Sequence, residues 1–242
     1  MDVTIGAMLA RGLKRSKRAP FGALIVCFFA STAFAAAAPS CPPAKTPIKL
    51  DFKTLTAPTA YSHRLTLGGI ANLSRAKGAQ IAGGSRPVGL TLANTLYGVA
   101  GEVALAPQGS GFCVHLTSVK IDFGWDSMDV YVPAEFPEGS CEYRAVRDHE
   151  NQHVSIFRTS LAEFAPRARA RIEAVLARAK PFPVRSQNAA AQTALAPVNA
   201  ELAALQKEFN ALHGARNARI DAPSNYAAVT ALCRNWDGAG AK

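Results

Sequence analysis

The HENQH segment at residues 149–153 constrains this chain more than any other feature of its sequence, because it matches the pattern H-E-x-x-H. The pattern has chemical meaning only on a helix, where residues i and i+4 lie one turn apart on the same face. Ser140 is a suitable N-cap for such a helix, and apolar residues share the face of the two histidines. We therefore predict a helix from Ser140 to about Phe164.

Two imidazoles one turn apart can bind one metal ion together, so His149 and His153 are predicted metal ligands. Glu150 lies within reach of a water on that metal and is predicted to act as a catalytic general base. The imidazole donors and the lack of a cysteine ligand favour zinc, one ion per chain, over Ca²⁺ or Mg²⁺. The alternative is a pair of hydrogen-bonded core histidines beside a surface glutamate.

A catalytic zinc ion has three protein ligands and an open position, so a third ligand is required. The extended pattern H-E-x-x-H-x-x-G-x-x-H is absent, because residues 156 and 159 are neither glycine nor histidine. We predict His213 as the third ligand, since it follows Phe209 by four residues at the end of an apolar-striped helix. Glu173 is the second candidate, with a solvated, arginine-paired glutamate as its alternative. A residue other than these two is the remaining possibility.

The chain has a strand-like residue pattern in its first part and a helical pattern in its second, and this order predicts an α+β fold. Residues 48–137 contain short strand-like runs separated by glycine-containing turns, which predicts a small antiparallel sheet. Asp126 and Ser127 are predicted to close a hairpin between its last two strands. The predicted strands are 48–53, 61–67, 96–106, 112–123 and 128–132.

Residues 140–236 have a helical pattern. After the helix that carries HENQH, a second helix is predicted to start at Pro166, a residue suited to a first helical turn. A third helical segment is predicted to start near Ser186, to be interrupted at Pro197 and to continue to His213, with Gly214 as its C′ residue.

The first 35 residues have the three parts of an export signal: a basic segment, an apolar run over residues 21–30, and small residues before a predicted cleavage site after Ala35. An uncleaved anchor is the alternative, although the apolar run is short for a membrane span. The predicted organisation is a signal peptide at 1–35, a Pro-rich lead-in at 36–47 and a single domain at 48–242. We expect a periplasmic or secreted protein with no membrane partner after cleavage.

Four cysteines remain after the predicted cleavage, and an even number in an exported chain predicts two disulfides. Three connectivities are open. We favour a pairing of Cys113 with Cys141 around the strand-rich part, and of Cys41 with Cys233 between the two ends of the chain. No C-x-x-C pair is present, so a cysteine zinc site is not predicted.

The net charge of the chain is +10, but the predicted signal segment carries +4 of it. The remainder is only mildly basic, and an exported protein rarely meets nucleic acid. We therefore predict no nucleic-acid partner.

This arrangement resembles a bacterial domain-of-unknown-function family of secreted proteins described as zinc-dependent proteases. The resemblance rests on the export signal, the cysteine-containing and strand-rich region, the segment CEYRAVRDHENQHVSIF at 141–157, and the His-Gly pair at 213–214. It implies a zincin-like metallopeptidase domain over about residues 48–236, and it adds weight to His213.

The function predicted from these features is an exported zinc metallopeptidase in which Glu150 takes a proton from water and returns it to the leaving amine. Its expected partner is a peptide, a protein or a cell-envelope polymer. One alternative is a non-catalytic envelope protein whose zinc holds helices together, which a closed four-ligand site would mark. The other is an amide hydrolase that acts on peptidoglycan.

Overall fold

A computed structural model describes residues 40–78 and 88–236, so the predicted signal peptide lies outside the described residues. The described elements are strands and helices in mixed order, which confirms the predicted α+β class. In chain order they are β1 (Lys49–Leu55), β2 (Thr59–Ser62), α1 (Leu67–Ala76), β3 (Leu90–Gln108), β4 (Gly111–Tyr131), α2 (Cys141–Arg178), β5 (Phe182–Val184), α3 (Ala190–Ile220) and α4 (Pro223–Ala231).

The sheet is built around β4, which has neighbours on both sides. Strand β3 pairs antiparallel with β4 along nearly its whole length. The other side of β4 is shared end to end by β5, which is antiparallel, and by β1 and β2, which are parallel. The sheet is therefore mixed and not antiparallel as predicted, because β1 and β2 reach β4 through the intervening α1 and β3 and not through tight hairpins.

The predicted hairpin at Asp126 and Ser127 is wrong, because β4 continues through both residues. The partner of Trp125 is Thr95, and the partner of Ser127 is Asn94, so Asp126 is the extra residue of a β-bulge. Asp126 and Ser127 are residues that suit a turn, but the strand accommodates them with this β-bulge. The residues on either side keep their partners on β3.

Helix α2 begins as predicted, with the Ser140 hydroxyl accepting a hydrogen bond from the Tyr143 amide at 3.0 Å. It does not end near Phe164, because Pro166 lies inside one helix of 38 residues. An interior proline costs about 3 kcal/mol through its missing hydrogen bond and its steric clash. The buried residues on both sides of it, such as Leu161 and Ile172, favour continuation of the helix against the core.

Helices α2 and α3 are antiparallel neighbours packed against the sheet. The Phe123 ring of β4 stacks on Phe164 of α2, with centroids 5.9 Å apart, and contacts Phe209 of α3 at 5.4 Å. All three rings are at most 2% exposed. This aromatic cluster aligns the two helices, so residues late in α3 lie opposite residues early in α2.

Two disulfides are present, as predicted, but both pairings differ from the favoured ones. Cys41 is bonded to Cys113, and Cys141 is bonded to Cys233. The first joins the lead-in to the start of β4, and the second joins the first residue of α2 to the segment after α4. The prediction failed because Cys41 and Cys233 are held against different parts of the fold.

Removal of the second disulfide by the double substitution Cys141→Ser and Cys233→Ser is expected to lower the free energy of unfolding by about 4 kcal/mol. The bond closes a loop with a sequence separation of 92 residues, and the loss of that constraint favours the unfolded chain. Urea unfolding of the wild type and the double variant measures the change. Equal stability of the two proteins would contradict this prediction.

Within residues 40–78 and 88–236, no helix combines the length and the apolar character that a bilayer crossing requires.

Candidate metal centre

His149 and His153 lie on the buried face of α2, one turn apart, with exposed fractions of 5% and 9%. Their rings are in edge contact, with centroids 5.0 Å apart. The helical spacing predicted from the sequence therefore brings the two side chains together. Glu150 is also buried, at 4% exposed, so the alternative of a surface glutamate does not hold.

The third member of this group is Asp221, the residue that follows the last turn of α3. Its Oδ1 atom lies 3.1 Å from His153 Nε2 and 3.4 Å from His149 Nε2. The three potential ligand atoms all lie within 4.8 Å of one another. His149, His153 and Asp221 therefore form a group that could hold a metal ion, and among the described residues it is the one such group.

His213 is not part of this group, although it lies on the helix that supplies Asp221. Asn217 Oδ1 accepts a hydrogen bond from His153 Nδ1 at 2.8 Å, and the His213 ring contacts the Phe157 ring at 5.4 Å. These contacts follow one face of α3 in steps of four residues. His213 precedes Asp221 by eight residues, or about 12 Å along the helix axis.

The prediction of His213 assumed that this helix ends at Gly214. Helix α3 continues through Gly214 to Ile220. Glycine often terminates a helix in a left-handed conformation, but Gly214 does not have a positive φ here. The added two turns carry Asp221 to the histidines and leave His213 beside Trp125, Phe157 and Phe209.

Glu173, the second candidate, also lies outside the group. It is half exposed and forms an ion pair with Arg169 at 2.9 Å, one turn earlier on α2. This is the solvated, arginine-paired arrangement that the sequence offered as its alternative. The other two described histidines are elsewhere: His63 contacts the Phe136 carbonyl, and His115 lies within β4.

The electrostatics of the group match its geometry. Burial alone would raise the pKa of the Asp221 carboxyl, but the facing imidazole nitrogens of His149 and His153 outweigh it and lower that pKa. Burial likewise opposes protonation of His153, yet Asp221 and Glu150 raise its pKa above the ordinary value. The cluster therefore favours positive charge between the side chains, which a proton or a metal cation can supply.

His149 Nε2 is a buried nitrogen without a hydrogen-bond partner among the described residues. A buried polar atom of this kind is costly unless something satisfies it. It faces Asp221 Oδ1, so a cation between the two atoms would satisfy both.

Glu150 lies next to the group and is held by β3. The Thr91 hydroxyl donates a hydrogen bond of 2.7 Å to Glu150 Oε2. Burial raises the pKa of the Glu150 carboxyl, and the nearby His153 and Thr91 oppose that shift without cancelling it. Gly89 makes room for the carboxyl, because a Cβ at this position would lie 2.5 Å from Glu150 Oε1.

Tyr226, on α4, adds a hydroxyl to the site. It donates a hydrogen bond of 3.1 Å to Asp221 Oδ1, and its ring lies 5.4 Å from the His149 ring. Helix α4 is followed by Cys233, whose disulfide to Cys141 ties this segment to the first turn of α2. The covalent link therefore holds Tyr226 and the histidine helix together.

These groups line a cavity of about 750 Å³. Its walls come from the end of α1 and the residues after it, from the start of β3, from α2, from the last turns of α3, and from α4. The cavity is therefore formed by parts of the chain that are distant in sequence. The lining residues include Gly89, Leu90, Thr91, Leu92, Ala93, Glu150, His153, Phe157, His213, Gly214, Asn217, Ala218, Asp221 and Tyr226.

The sequence analysis missed Asp221, Thr91 and Tyr226. The position of Asp221 could have been suggested by the sequence, because residues 209, 213, 217 and 221 are spaced by four and successive members are neighbours along one side of a helix. The sequence contains no comparable signal for Thr91 and Tyr226, since only the packing of β3 and α4 brings them to the site.

No family model, no curated protein and no solved structure matches this chain. The fold and the candidate metal centre are therefore interpreted from the chain itself.

His213 is expected to make the metal-free protein less stable in acid. Burial lowers its pKa to about 4, whereas a histidine in an unfolded chain titrates near 6.5. Between these values the unfolded chain binds the extra proton, so the free energy of unfolding falls as the pH falls from about 6.5 to about 4. The expected loss is about 1–2 kcal/mol after allowance for the partial exposure of the ring.

Urea unfolding of wild type and His213→Leu at pH 7, 5.5 and 4.5, with a chelator present, measures this term. The stability difference between the two proteins is expected to change across this range. Parallel pH dependences would show that His213 contributes nothing to it.

Proposed function

We propose that the protein is an exported, zinc-dependent hydrolase of peptide bonds. The observation that carries the proposal is the buried carboxylate of Glu150, beside a three-residue ligand group and at the wall of a cavity. A site that only stabilises helices does not need such a carboxylate. The two disulfides are typical of proteins that work in an oxidising compartment, which supports export.

The geometry of the group supports zinc. Ligands at zinc distances of about 2.0–2.1 Å in a tetrahedron are separated by about 3.3 Å. Asp221 Oδ1 lies 3.1 Å and 3.4 Å from the two histidine nitrogens, close to that value. The His153 Nδ1 hydrogen bond to Asn217 leaves the Nε2 lone pair free for the ion. Two imidazoles and one carboxylate are also a frequent donor set for zinc.

His149, His153 and Asp221 would hold the zinc ion, and its chemistry when bound would be to acidify a water and to polarise a substrate carbonyl. Glu150 is then the proton acceptor and, in the second half of the reaction, the donor to the leaving amine. Its burial supports this role, because burial raises the pKa of the carboxyl and makes the carboxylate a better proton acceptor. Thr91 fixes one carboxylate oxygen and leaves the other for proton transfer.

Tyr226 is the proposed hydrogen-bond donor for charge that develops on the carbonyl oxygen. Its hydroxyl now donates to Asp221 Oδ1, which is the atom that would bind the metal. Burial and the nearby Asp221 charge raise the pKa of Tyr226, so it stays protonated and able to donate. A preorganised donor in a buried site stabilises such charge effectively.

An extended peptide fits the strand that borders the cavity. Among the described strands, β3 pairs only with β4, so no described strand is hydrogen-bonded to its other edge. Its first residues, Leu90–Ala93, line the cavity. A peptide can add to such an edge by backbone hydrogen bonds. The end of β4 does not offer such an edge, because β2 and β3 occupy both of its sides over residues 128–131.

The non-catalytic alternative is less well supported. A structural zinc site is closed by four protein ligands, whereas the described residues supply three. Peptidoglycan is the other alternative substrate, since its cross-links are also amides.

The test is hydrolysis by residues 36–242 loaded with zinc. Fluorescent casein, a mixed peptide library and purified cell walls are the substrates. We expect cleavage of casein or peptides, its loss on addition of a chelator, and its recovery when zinc is restored. Cleavage of cell walls alone would move the substrate to peptidoglycan. A zinc-loaded, folded protein that cleaves none of the three would reject the hydrolase.

A further inference from the structure

We propose that the cavity beside the metal group binds one large apolar side chain of the substrate, next to the bond that is cleaved. This inference rests on the proposed function and specifies its substrate class. It depends on a different part of the cavity from the ligands: the wall formed by Phe157, His213, Leu90, Leu92 and the small residues between them.

The apolar wall begins one helical turn after the metal group. On α2, Phe157 follows His153 by four residues and therefore shares its face. On α3, His213 precedes Asn217 by four residues and contacts the Phe157 ring. The two helices thus carry the ligand residues at one end of the cavity and two packed rings at the other. A side chain adjacent to a reacting carbonyl would reach those rings.

Strand β3 and two small residues complete the space. Leu90, Leu92 and Ala93 line the cavity from the sheet side. Gly214 and Ala218 line it from α3, where larger residues would fill it. A Cβ built at Gly214 has no atom within 4 Å, so the space beside it is open.

The charges of the lining favour an uncharged occupant. Among the described lining residues, Glu150 and Asp221 are the charged ones, and both belong to the proposed metal and proton-transfer chemistry. Within residues 40–78 and 88–236, the lining contributes no arginine, lysine or further carboxylate that could pair with a charged side chain. His213 is neutral at physiological pH, because burial lowers its pKa to about 4. Leucine, methionine and phenylalanine are the side chains that match these surroundings.

The first test measures binding without turnover. N-acetyl amides of phenylalanine, leucine, alanine, lysine and glutamate are titrated into the folded, metal-free chain, and the backbone amide signals of Gly214 and Ala218 are followed by NMR. We expect shifts with the phenylalanine and leucine amides, at least tenfold tighter binding than the alanine amide, and no shifts with the charged amides. Equal binding of the lysine amide would overturn the proposal.

The second test narrows the cavity. Gly214→Leu lies within a helix, where leucine is a better former than glycine, so the fold is expected to persist. Ala215→Leu is the matched control, because Ala215 is exposed on the same turn and does not line the cavity. We expect Gly214→Leu to weaken phenylalanine amide binding about tenfold, while Ala215→Leu leaves it within twofold. Unchanged binding in Gly214→Leu would overturn the proposal.

The same variants separate this inference from the proposed function. If the zinc-loaded wild type cleaves peptides, kcat/KM is expected to be about tenfold or more higher for phenylalanine than for alanine at the pocket position. That preference is expected to fall in Gly214→Leu. Apolar binding without any cleavage would keep the pocket and reject the hydrolase, whereas cleavage without side-chain preference would reject the pocket.

Discussion

Asp221→Ala is expected to lose zinc, with an affinity more than about 100-fold weaker than that of the wild type. Asp221 Oδ1 faces both histidine nitrogens, so its removal takes away one of the three proposed ligands and the negative charge that would attract the ion. The measurement is zinc content after dialysis, together with competition against a chromophoric chelator. About one zinc per chain is expected in the wild type.

His213→Leu and Glu173→Gln are the matched controls for this result. Both residues are reasonable ligands by sequence, but one contacts aromatic rings and the other is paired with Arg169. Each variant is expected to retain zinc. Retention in Asp221→Ala, or loss in a folded His213→Leu protein, would show that the metal is bound by a different set of residues.

Glu150→Gln is expected to reduce hydrolysis by about 10²–10⁴-fold while zinc binding persists. The amide has nearly the same shape as the carboxyl and can still accept the Thr91 hydrogen bond, but it cannot act as a proton acceptor. The measurement is kcat on the best substrate found, with zinc content determined on the same sample.

Glu142→Gln provides the comparison, because Glu142 is a second buried glutamate on the same helix. Its Oε1 accepts a hydrogen bond from the Asn235 amide, away from the cavity. This variant is expected to keep its activity. An active Glu150→Gln protein would remove Glu150 from the proton transfer and would leave the metal group as a binding site only.

The long helix illustrates what sequence pattern can and cannot predict. The Ser140 cap and the histidine face were predictable because both depend on neighbouring residues alone. The continuation through Pro166 was not, since the local cost of a proline is offset by burial against β4 and α3. Local signals determined where the helix starts, and the core determined where it ends.

The sheet and the disulfides depended on tertiary structure to a greater degree. Strand-like runs were recognisable, but the pairing of β1 and β2 parallel to β4 joins segments more than 60 residues apart. The cysteine count predicted two disulfides, and the partners were decided by which chain segments pack together. The number of possible pairings is a property of the sequence, whereas the choice among them belongs to the fold.

The candidate metal centre was also predictable from the sequence only in part. The sequence by itself determined that His149, Glu150 and His153 share one region of a helix, because a spacing of four residues corresponds to one helical turn. Only the tertiary structure decided the third member, since the antiparallel packing of α2 and α3 brings Asp221, 68 residues after His153, to the two histidines. That packing depends on aromatic residues far from the motif, so the four-residue spacing on α3 could not by itself show that Asp221 meets the histidines.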